Sequence, residues 1–213
     1  MLLRDNASRI RIEVFTQALE WSEDFHPPKI LSAEERERCA RFVRPADRAR
    51  YAQSHVFLRE TLSRFADVAP ADWQFQRGEF GRPAIAGHMA GLGIEFNLSH
   101  TVDWAACIVT RGIPCGIDIE LIRPIPHALD IARRFFAPQE FRELEELAED
   151  AFERRFFELW TEKEAWVKAY GRGLSLPVNR IIGEIPGVEL ARWATIRNHA
   201  MAVVLLPTGP ALR

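Results

Sequence analysis

The feature that most constrains this fold is a sequence pattern that occurs twice, at a separation of 105 residues. In each copy the start of a short helix is followed by a longer helical pattern, over 47–66 and over 152–170. The matching segments are Leu31-Ser32-Ala33-Glu34-Glu35 with Phe136-Ala137-Pro138-Gln139-Glu140, and Arg50-Tyr51 with Arg155-Phe156. The repeat predicts two α+β halves, 1–111 and 112–213, related by a pseudo-twofold axis. A ligand cleft is expected between them, where pockets often occur.

Shorter elements surround the two long helices. Ser32, followed by acidic residues, is typical of a helix N-cap and predicts a short helix over 34–42. Gly171-Arg172-Gly173 is typical of the end of a helix. Two more helices are predicted, over 127–136 and from Ala137 onwards. Strands are predicted near 10–14 and over 94–99, 104–110, 116–121, 178–185, 189–197 and 200–206.

Composition excludes several classes of protein. The chain has 213 residues, 47% hydrophobic and 27% charged, which is ordinary for a globular protein and unlike a disordered chain. Its net charge of −2 provides no basic field for nucleic acid or a membrane surface. The sequence shows neither a membrane-spanning apolar stretch nor the apolar run of a signal peptide. Three cysteines without CxxC spacing argue against a disulfide scaffold or a thiolate zinc site, and we expect a cytoplasmic protein.

The first chemical signal is a pair of acids, Asp118 and Glu120, in one predicted strand. Alternate side chains of a strand point to opposite faces, so Ile117, Ile119 and Leu121 would face the core. The two acids would share the other face, with Cα atoms roughly 6.5–7 Å apart. Carboxylates this close repel one another unless a cation lies between them, and hard oxygen ligands favour Mg²⁺. Taken alone, the pair also fits the solvated face of an edge strand.

The second signal is Glu164 and Lys168, which are neighbours on one face of the long second-half helix. Two of the three lysines of the chain, Lys163 and Lys168, fall in this segment, whereas the other basic residues comprise 25 arginines. The segment is crowded with aromatic residues, namely Phe156, Phe157, Trp160, Trp166 and Tyr170. If Glu164 faces Asp118 and Glu120, three carboxylates converge and a divalent metal would offset their repulsion. The alternative is an ordinary surface ion pair.

The third signal is a polar run at the end of a predicted strand. Asn97, Ser99 and His100 together can donate several hydrogen bonds to phosphate oxygens. The alternative is a polar turn in which Ser99 acts as a cap.

In this order, these segments resemble the 4′-phosphopantetheinyl transferases of the surfactin-synthetase-activating (Sfp) type. The resemblance extends from about Leu31 to Pro177, and the two α+β halves of that family agree with the internal repeat. The matching segments are Phe80-Gly81-Arg82-Pro83, Phe96-Asn97-Leu98-Ser99-His100, Gly116-Ile117-Asp118-Ile119-Glu120, Trp160-Thr161-Glu162-Lys163-Glu164-Ala165, Lys168 and Gly171-Arg172-Gly173-Leu174.

The resemblance implies a reaction. The phosphopantetheine arm of coenzyme A (CoA) would move to a serine of an apo acyl, aryl or peptidyl carrier protein, releasing adenosine 3′,5′-bisphosphate. Asp118, Glu120 and Glu164 would hold Mg²⁺, or Mn²⁺, against the pyrophosphate and neutralise its developing charge. Glu164, or a water on the metal, would act as the base toward the carrier serine. Lys168 would stabilise the bridging or leaving oxygen.

The resemblance also implies which residues bind CoA. They are Ser99, His100, Lys168, Arg50, Arg82 and Arg38. Arginine suits this role because its planar fork binds phosphate through two hydrogen bonds. Glu35 departs from the pattern, since it falls where relatives can be basic, and this leaves Arg38 as the better candidate for that phosphate contact. Arg50 also fits a solvated position on a basic helix face.

The charges along the chain are unevenly distributed. Segment 34–64 holds eight arginines and five acids, whereas segment 116–164 holds seven basic residues and thirteen acids. Such a dipole could steer the anionic coenzyme and an acidic carrier protein toward one side of the cleft. The alternative is that both segments are solvated helix faces. Because the duplication is internal, we expect a monomer.

Two other functions remain open. A Mg²⁺-dependent hydrolase of a nucleotide pyrophosphate would use the same three carboxylates with water as the acceptor. A non-catalytic module that binds CoA or docks a carrier would need neither the complete set of carboxylates nor Lys168.

Overall fold

A computed structural model of the chain describes residues 12–20, 25–78, 81–171, 179 and 192–206. Four residues of the matching segments, Phe80, Arg172, Gly173 and Leu174, lie outside this part of the chain. The strand predicted over 178–185 also lies outside it, except for residue 179.

The described residues form five α-helices near the predicted positions. The helices are α1 (Ala33–Ala40), α2 (Pro45–Ser63), α3 (Ala128–Phe135), α4 (Pro138–Glu145) and α5 (Glu149–Tyr170). Ser32 caps α1 as predicted, because its hydroxyl accepts the N–H of Glu35 while the Glu35 carboxylate accepts the N–H of Ser32. The predicted end of α5 is confirmed at Gly171, whose φ of 65° lies in the left-handed region. None of the described helices is both long and apolar enough to cross a bilayer.

The described strands form two three-stranded antiparallel sheets and one short ribbon. The strands are β1 (Ile12–Ala18), β2 (Phe75–Arg77), β3 (Pro83–Ile85), β4 (Ile94–His100), β5 (Trp104–Arg111), β6 (Cys115–Leu121), β7 (Arg192–Ile196) and β8 (His199–Leu205). One sheet has the order β1-β5-β4, the other has the order β6-β8-β7, and β2 pairs with β3.

The internal repeat is present in the structure. In each sheet the first strand pairs with the last, and the last pairs with the strand before it. The helix starts Ala33 and Pro138 are 105 residues apart. Both short helices also carry a buried glutamate that is bound to a cation of the following long helix. These ion pairs are Glu35 with Arg59 and Glu140 with Lys163, each at 2.7 Å. The predicted α+β pseudo-dimer is therefore confirmed, whereas the domain boundary at residues 111 and 112 stays a prediction.

A shared core joins the two halves. One cluster of buried apolar residues draws from both sheets: Val14, Ala106 and Ile108 from the first, and Cys115, Ile117, Ile119, Met201, Val203 and Leu205 from the second. Each sheet thus buries one face against the other, and the hydrophobic effect holds the halves together. The outer side of the second sheet is covered by α5, which packs Ala165 and Ala169 on β8.

Candidate active site

β6 presents its acids on the face opposite the shared core. Ile117 and Ile119 have no exposed surface, as predicted. Leu121 is only half-buried and lies outside the shared core cluster, because β6 ends at this residue. Asp118 is 3% exposed and Glu120 is half-buried. The strand therefore carries one carboxylate that is almost fully buried, Asp118, and one that is partly exposed to solvent, Glu120.

A glycine lets α5 approach this acidic face. A Cβ atom on Gly116 would lie 1.9 Å from the carbonyl oxygen of Ala165 and 2.6 Å from the nitrogen of Ala169. Real Cβ atoms do not come this close to other atoms, so a side chain at position 116 would force the helix away from the strand. The contact brings Glu164 and Lys168 to the level of Asp118.

Two side chains, those of Ser99 and Lys168, bond to Asp118. The ammonium of Lys168 donates to Asp118 Oδ1 at 2.6 Å and to Ser99 Oγ at 3.0 Å. The hydroxyl of Ser99 also donates to Asp118 Oδ1, at 2.7 Å. Ser99 lies on β4 of the first half, whereas Asp118 and Lys168 belong to the second. These three side chains form the Ser99–Asp118–Lys168 triangle, which therefore spans the contact between the halves.

The three predicted carboxylates lie within electrostatic reach of one another. Burial, followed by the negative charges of Asp118 and Glu164, raises the pKa of Glu120 to about 7. Lys168 and Arg123 act in the opposite direction. Burial and the charge of Asp118 likewise raise the pKa of Glu164, against the effect of Lys168. The site therefore concentrates negative charge that the nearby cations do not fully offset.

The chemistry of this site fits a hard divalent cation. Asp118 Oδ2 is buried and has no hydrogen-bond partner among the described residues, a costly arrangement for a carboxylate oxygen unless something binds it. Oxygen donors with excess negative charge are the ligands that Mg²⁺ prefers. As placed, however, no three acid, histidine or cysteine side chains within the described ranges enclose a common point at metal-ligand distances. The ligand set Asp118, Glu120 and Glu164 therefore stays a prediction.

Positive side chains border the carboxylates on one side. His100 stands at the exposed end of β4. Partial desolvation lowers the pKa of His100 to about 4, and basic groups around the ring act in the same direction. Those groups belong to His55, Lys168 and Arg50. A group of this kind attracts an anion such as phosphate.

The predicted arginines lie at three different places. Arg50 donates to the carbonyl oxygen of Val102 at 3.0 Å and to Asp47 at 2.7 Å, near His100. Arg38 is exposed on α1 and lines an open surface hollow of about 580 Å³, whose other lining residues are Glu34, Glu37, Arg41, Phe42 and Arg77. Their contacts with CoA stay predictions.

Arg82 connects parts of both halves. Its guanidinium donates to backbone carbonyl oxygens of three elements: Ala169 on α5 at 2.9 Å, Cys115 on β6 at 3.1 Å and Phe96 on β4 at 3.3 Å. These bonds occupy both terminal nitrogens of Arg82. In this arrangement Arg82 holds the protein together, and its predicted contact with CoA remains untested.

Asn97 does not take the place expected for a phosphate donor. Its side chain is 5% exposed, and its Oδ1 accepts the backbone N–H of Ile117 at 2.9 Å. The polar run therefore divides into one residue that bonds the halves together, Asn97, and two that reach the site, Ser99 and His100. The strand also continues through His100, so this histidine belongs to β4.

Two functional features were missed in the sequence. Gly116 could have been found, because a glycine two residues before Asp118 lies on the same strand face and is the only residue type that permits so close a contact. His55 gave no comparable signal, since it follows Tyr51 by one helical turn on an otherwise ordinary helix.

Comparison with known families agrees with this geometry. Residues 20–111 match the family model described as 4′-phosphopantetheinyl transferase, N-terminal. Residues 114–201 match that of the 4′-phosphopantetheinyl transferase superfamily. The two matches cover both halves in the predicted order, and the chain belongs to this superfamily.

Two relatives that are similar in sequence give the same result. The chain is 38% identical over 151 residues to the 4′-phosphopantetheinyl transferase Sfp of Bacillus subtilis, a match that covers 70% of this chain and 64% of that protein. It is 36% identical over 145 residues to the 4′-phosphopantetheinyl transferase HetI of Nostoc sp. strain PCC 7120, covering 68% of this chain and 61% of that protein. The chain thus spans less than two thirds of the length of these relatives. Among solved structures, the holo-[acyl-carrier-protein] synthase of Thermotoga maritima aligns with a TM-score of 0.36 and 20% identity, over 46% of this chain and 65% of that chain.

Proposed function

We propose that this protein transfers the 4′-phosphopantetheine arm of CoA to a serine of an apo carrier protein, with Mg²⁺ as the metal and adenosine 3′,5′-bisphosphate as the by-product. The observation that carries the proposal is the Ser99–Asp118–Lys168 triangle, with two further carboxylates on one side and positive side chains on the other. Cationic side chains can bind the oxygens of a pyrophosphate, and carboxylates can hold a metal ion beside these oxygens.

Each residue has a distinct role in the proposed reaction. Asp118, Glu120 and Glu164 would hold the metal, which when bound neutralises charge on the pyrophosphate and fixes its orientation. The Lys168 side chain is 27% exposed and lies at the edge of the site, where its ammonium can meet the leaving oxygen. Glu164 is half-buried and accepts the proton of the attacking serine hydroxyl. Ser99, His100 and Arg50 would bind and orient the phosphates.

The partner that we propose is a carrier protein with an acidic surface around the modified serine. Four arginines of segment 34–64 are exposed on and beside α1, namely Arg36, Arg38, Arg41 and Arg44. Complementary charge of this kind increases the rate of association more than the final affinity. Replacing Arg41 and Arg44 with Glu should therefore slow carrier modification at low salt more than at high salt.

The decisive experiment incubates the protein with CoA, Mg²⁺ and a panel of apo carrier proteins, followed by mass spectrometry. The proposed transferase increases the mass of a carrier by one phosphopantetheine, and Asp118→Asn abolishes the increase. Cleavage of CoA without modification of any carrier would instead indicate a pyrophosphate hydrolase. Binding of CoA without either product would indicate a non-catalytic module.

A further inference from the structure

His55 belongs to the same helix as Arg50 and has no role in the mechanism above. It is on α2, one turn after Tyr51, and its side chain is 24% exposed. Its Nδ1 lies 2.9 Å from Oε1 of Glu35. Its ring lies against that of Tyr51 with a centroid separation of 4.2 Å and a tilt of 34°, and the Tyr51 ring in turn lies 5.8 Å from the guanidinium carbon of Arg38. A carboxylate on one side and an aromatic ring on its face fix the imidazole.

The Glu35 carboxylate determines how this imidazole can act. Glu35 also accepts bonds from Arg59 and from the backbone N–H of Ser32, and together with the bond to His55 these outweigh burial and lower the pKa of Glu35 to about 2. The carboxylate is therefore ionised and can only accept, so Nδ1 of His55 must carry a proton. The opposite nitrogen, Nε2, has no hydrogen-bond partner among the described residues. An imidazolium held between Glu35 and an anion would donate from both nitrogens.

The position of His55 indicates which anion it would meet. Arg50 precedes His55 on α2 by little more than one turn and donates to the carbonyl oxygen of Val102, two residues after His100. His55, Lys168 and Arg50 also all interact electrostatically with His100. Because Lys168 bonds Asp118, this group of side chains borders the carboxylates of β6 and α5. Glu35, at a position where relatives can be basic, is turned inward to Arg59, and His55 is the basic group that stands beside it.

We propose that His55, oriented by Glu35, is an additional phosphate-binding residue of this chain and contacts one of the phosphates of CoA. The inference rests on the proposed function, because CoA is the ligand that this function supplies. The chemistry recognised is a phosphate group, which CoA carries both at the ribose 3′ position and in its pyrophosphate. A charge-assisted hydrogen bond to such a group contributes about 1.5–3 kcal/mol, equivalent to about a tenfold to a hundredfold change in affinity.

The test measures dissociation constants for CoA, dephospho-CoA and adenosine 3′,5′-bisphosphate by titration calorimetry. His55→Phe keeps the ring contact with Tyr51 and removes the donor, and we expect it to weaken CoA binding at least about tenfold. Loss for CoA and the bisphosphate, with dephospho-CoA unchanged, assigns the contact to the 3′-phosphate. Loss for CoA and dephospho-CoA assigns it to the pyrophosphate. His88→Ala, which changes an exposed histidine beside a different hollow, should leave all three constants unchanged.

Two further measurements separate binding from folding. His55→Gln can still bond Glu35 but carries no charge, so it should fold like the wild type and lose the same affinity. The ¹⁵N shift of Nε2 of His55 should move when CoA is added to the wild type, which a structural role would not cause. The inference is overturned if both variants keep the wild-type affinity for CoA. It is also overturned if the ¹⁵N shift of Nε2 does not change in a protein that binds CoA. A wild-type protein that binds none of the three ligands overturns the proposed function instead.

Discussion

Glu164 is the residue on which the proposed chemistry depends most directly. Glu164→Gln keeps the size of the side chain and removes the carboxylate that we propose as the base and as one metal ligand. We expect turnover in the carrier mass-shift assay to fall at least about a hundredfold, the usual contribution of a general base. CoA binding should survive in part, because the positive side chains around His100 remain. Turnover equal to that of the wild type would remove Glu164 from the site.

The matched control for this variant is on the same helix. Glu158→Gln changes a half-buried glutamate of α5 that is bound to Arg155, at 3.3 Å, and lies more than a helical turn before Glu164. Loss of the Glu158 charge should have little effect on turnover, because the helix keeps its contact with β6.

Glu35 makes the unfolding free energy of the protein depend on pH in the acidic range. Its pKa is about 2 in the folded protein and 4.5 as its ordinary value, so folding favours the ionised form. The stabilisation is complete above pH 4.5 and is lost as the pH falls toward 2. The difference corresponds to roughly 3 kcal/mol. Glu35→Gln should remove this part of the pH dependence of the unfolding free energy, measured by urea denaturation between these limits.

The control for Glu35 is an exposed neighbour on the same helix. Glu37 binds Arg41 at 2.6 Å, with its side chain 68% exposed, and surface pairs of this kind contribute little. Glu37→Gln should follow the wild-type curve throughout. If Glu35→Gln did so as well, the ion pair with Arg59 would not be the source of the acid sensitivity.

At the scale of elements, the site depends on the distance between β6 and α5. Gly116→Ala places a methyl group inside contact distance of two backbone atoms of α5, which cannot rotate away as a side chain could. We expect a loss of at least about 1–3 kcal/mol in unfolding free energy. Activity should fall further than stability, since Glu164 and Lys168 move away from Asp118 with the helix.

A second glycine provides the comparison. Gly91 has open space where a Cβ would be placed and no positive φ, so Gly91→Ala should be close to neutral in both measurements. If Gly116→Ala retained wild-type stability and activity, the close contact between strand and helix would be contradicted.

Sequence patterns were sufficient for most of these elements. The periodic stretches over 47–66 and 152–170 predicted α2 and α5, because a buried stripe on a long helix leaves a regular spacing of apolar residues. The segments around 94–121 predicted β4, β5 and β6 for the corresponding reason in strands. The depth of Leu121 was not predictable, because burial at the end of a strand is set by the element that covers it.

At the scale of the whole molecule, Arg82 bonds three elements across the two halves. Arg82→Lys replaces a planar fork by a single ammonium, which cannot reach carbonyl oxygens on α5, β6 and β4 together. We expect unfolding free energy to fall by about 1.5–3 kcal/mol in urea denaturation. Unchanged stability combined with weaker CoA binding would instead support the role in CoA binding that the resemblance implied.

Arg111 offers a control for this substitution. It donates to the carbonyl oxygens of Leu92 and Phe65, both in the first half, and it is exposed. Arg111→Lys should therefore cost less than Arg82→Lys. An equal cost would mean that contact across the halves adds nothing to the contribution of Arg82.

The site was only partly predictable for a related reason. Asp118, Glu164 and Lys168 stood out because their side chains are chemically distinctive and regularly spaced. The partners of Asn97 and Arg82 are backbone atoms that are distant in sequence. Because nearly all residue types carry the same backbone groups, such partners cannot be identified from residue type. The pairing of His55 with Glu35 was hidden as well, since it depends on how α1 packs on α2.

The apolar layer between the two sheets determines how separate fragments of the chain would behave. A fragment ending before β6 would leave Val14 and Ile108 facing water, and so would tend to pair with another copy of itself or to aggregate. Fragments cut in the turn at residues 112–114 and expressed together could instead find each other by the same surface. Restored catalysis would then report reassembly, because Ser99 and Asp118 come from different fragments.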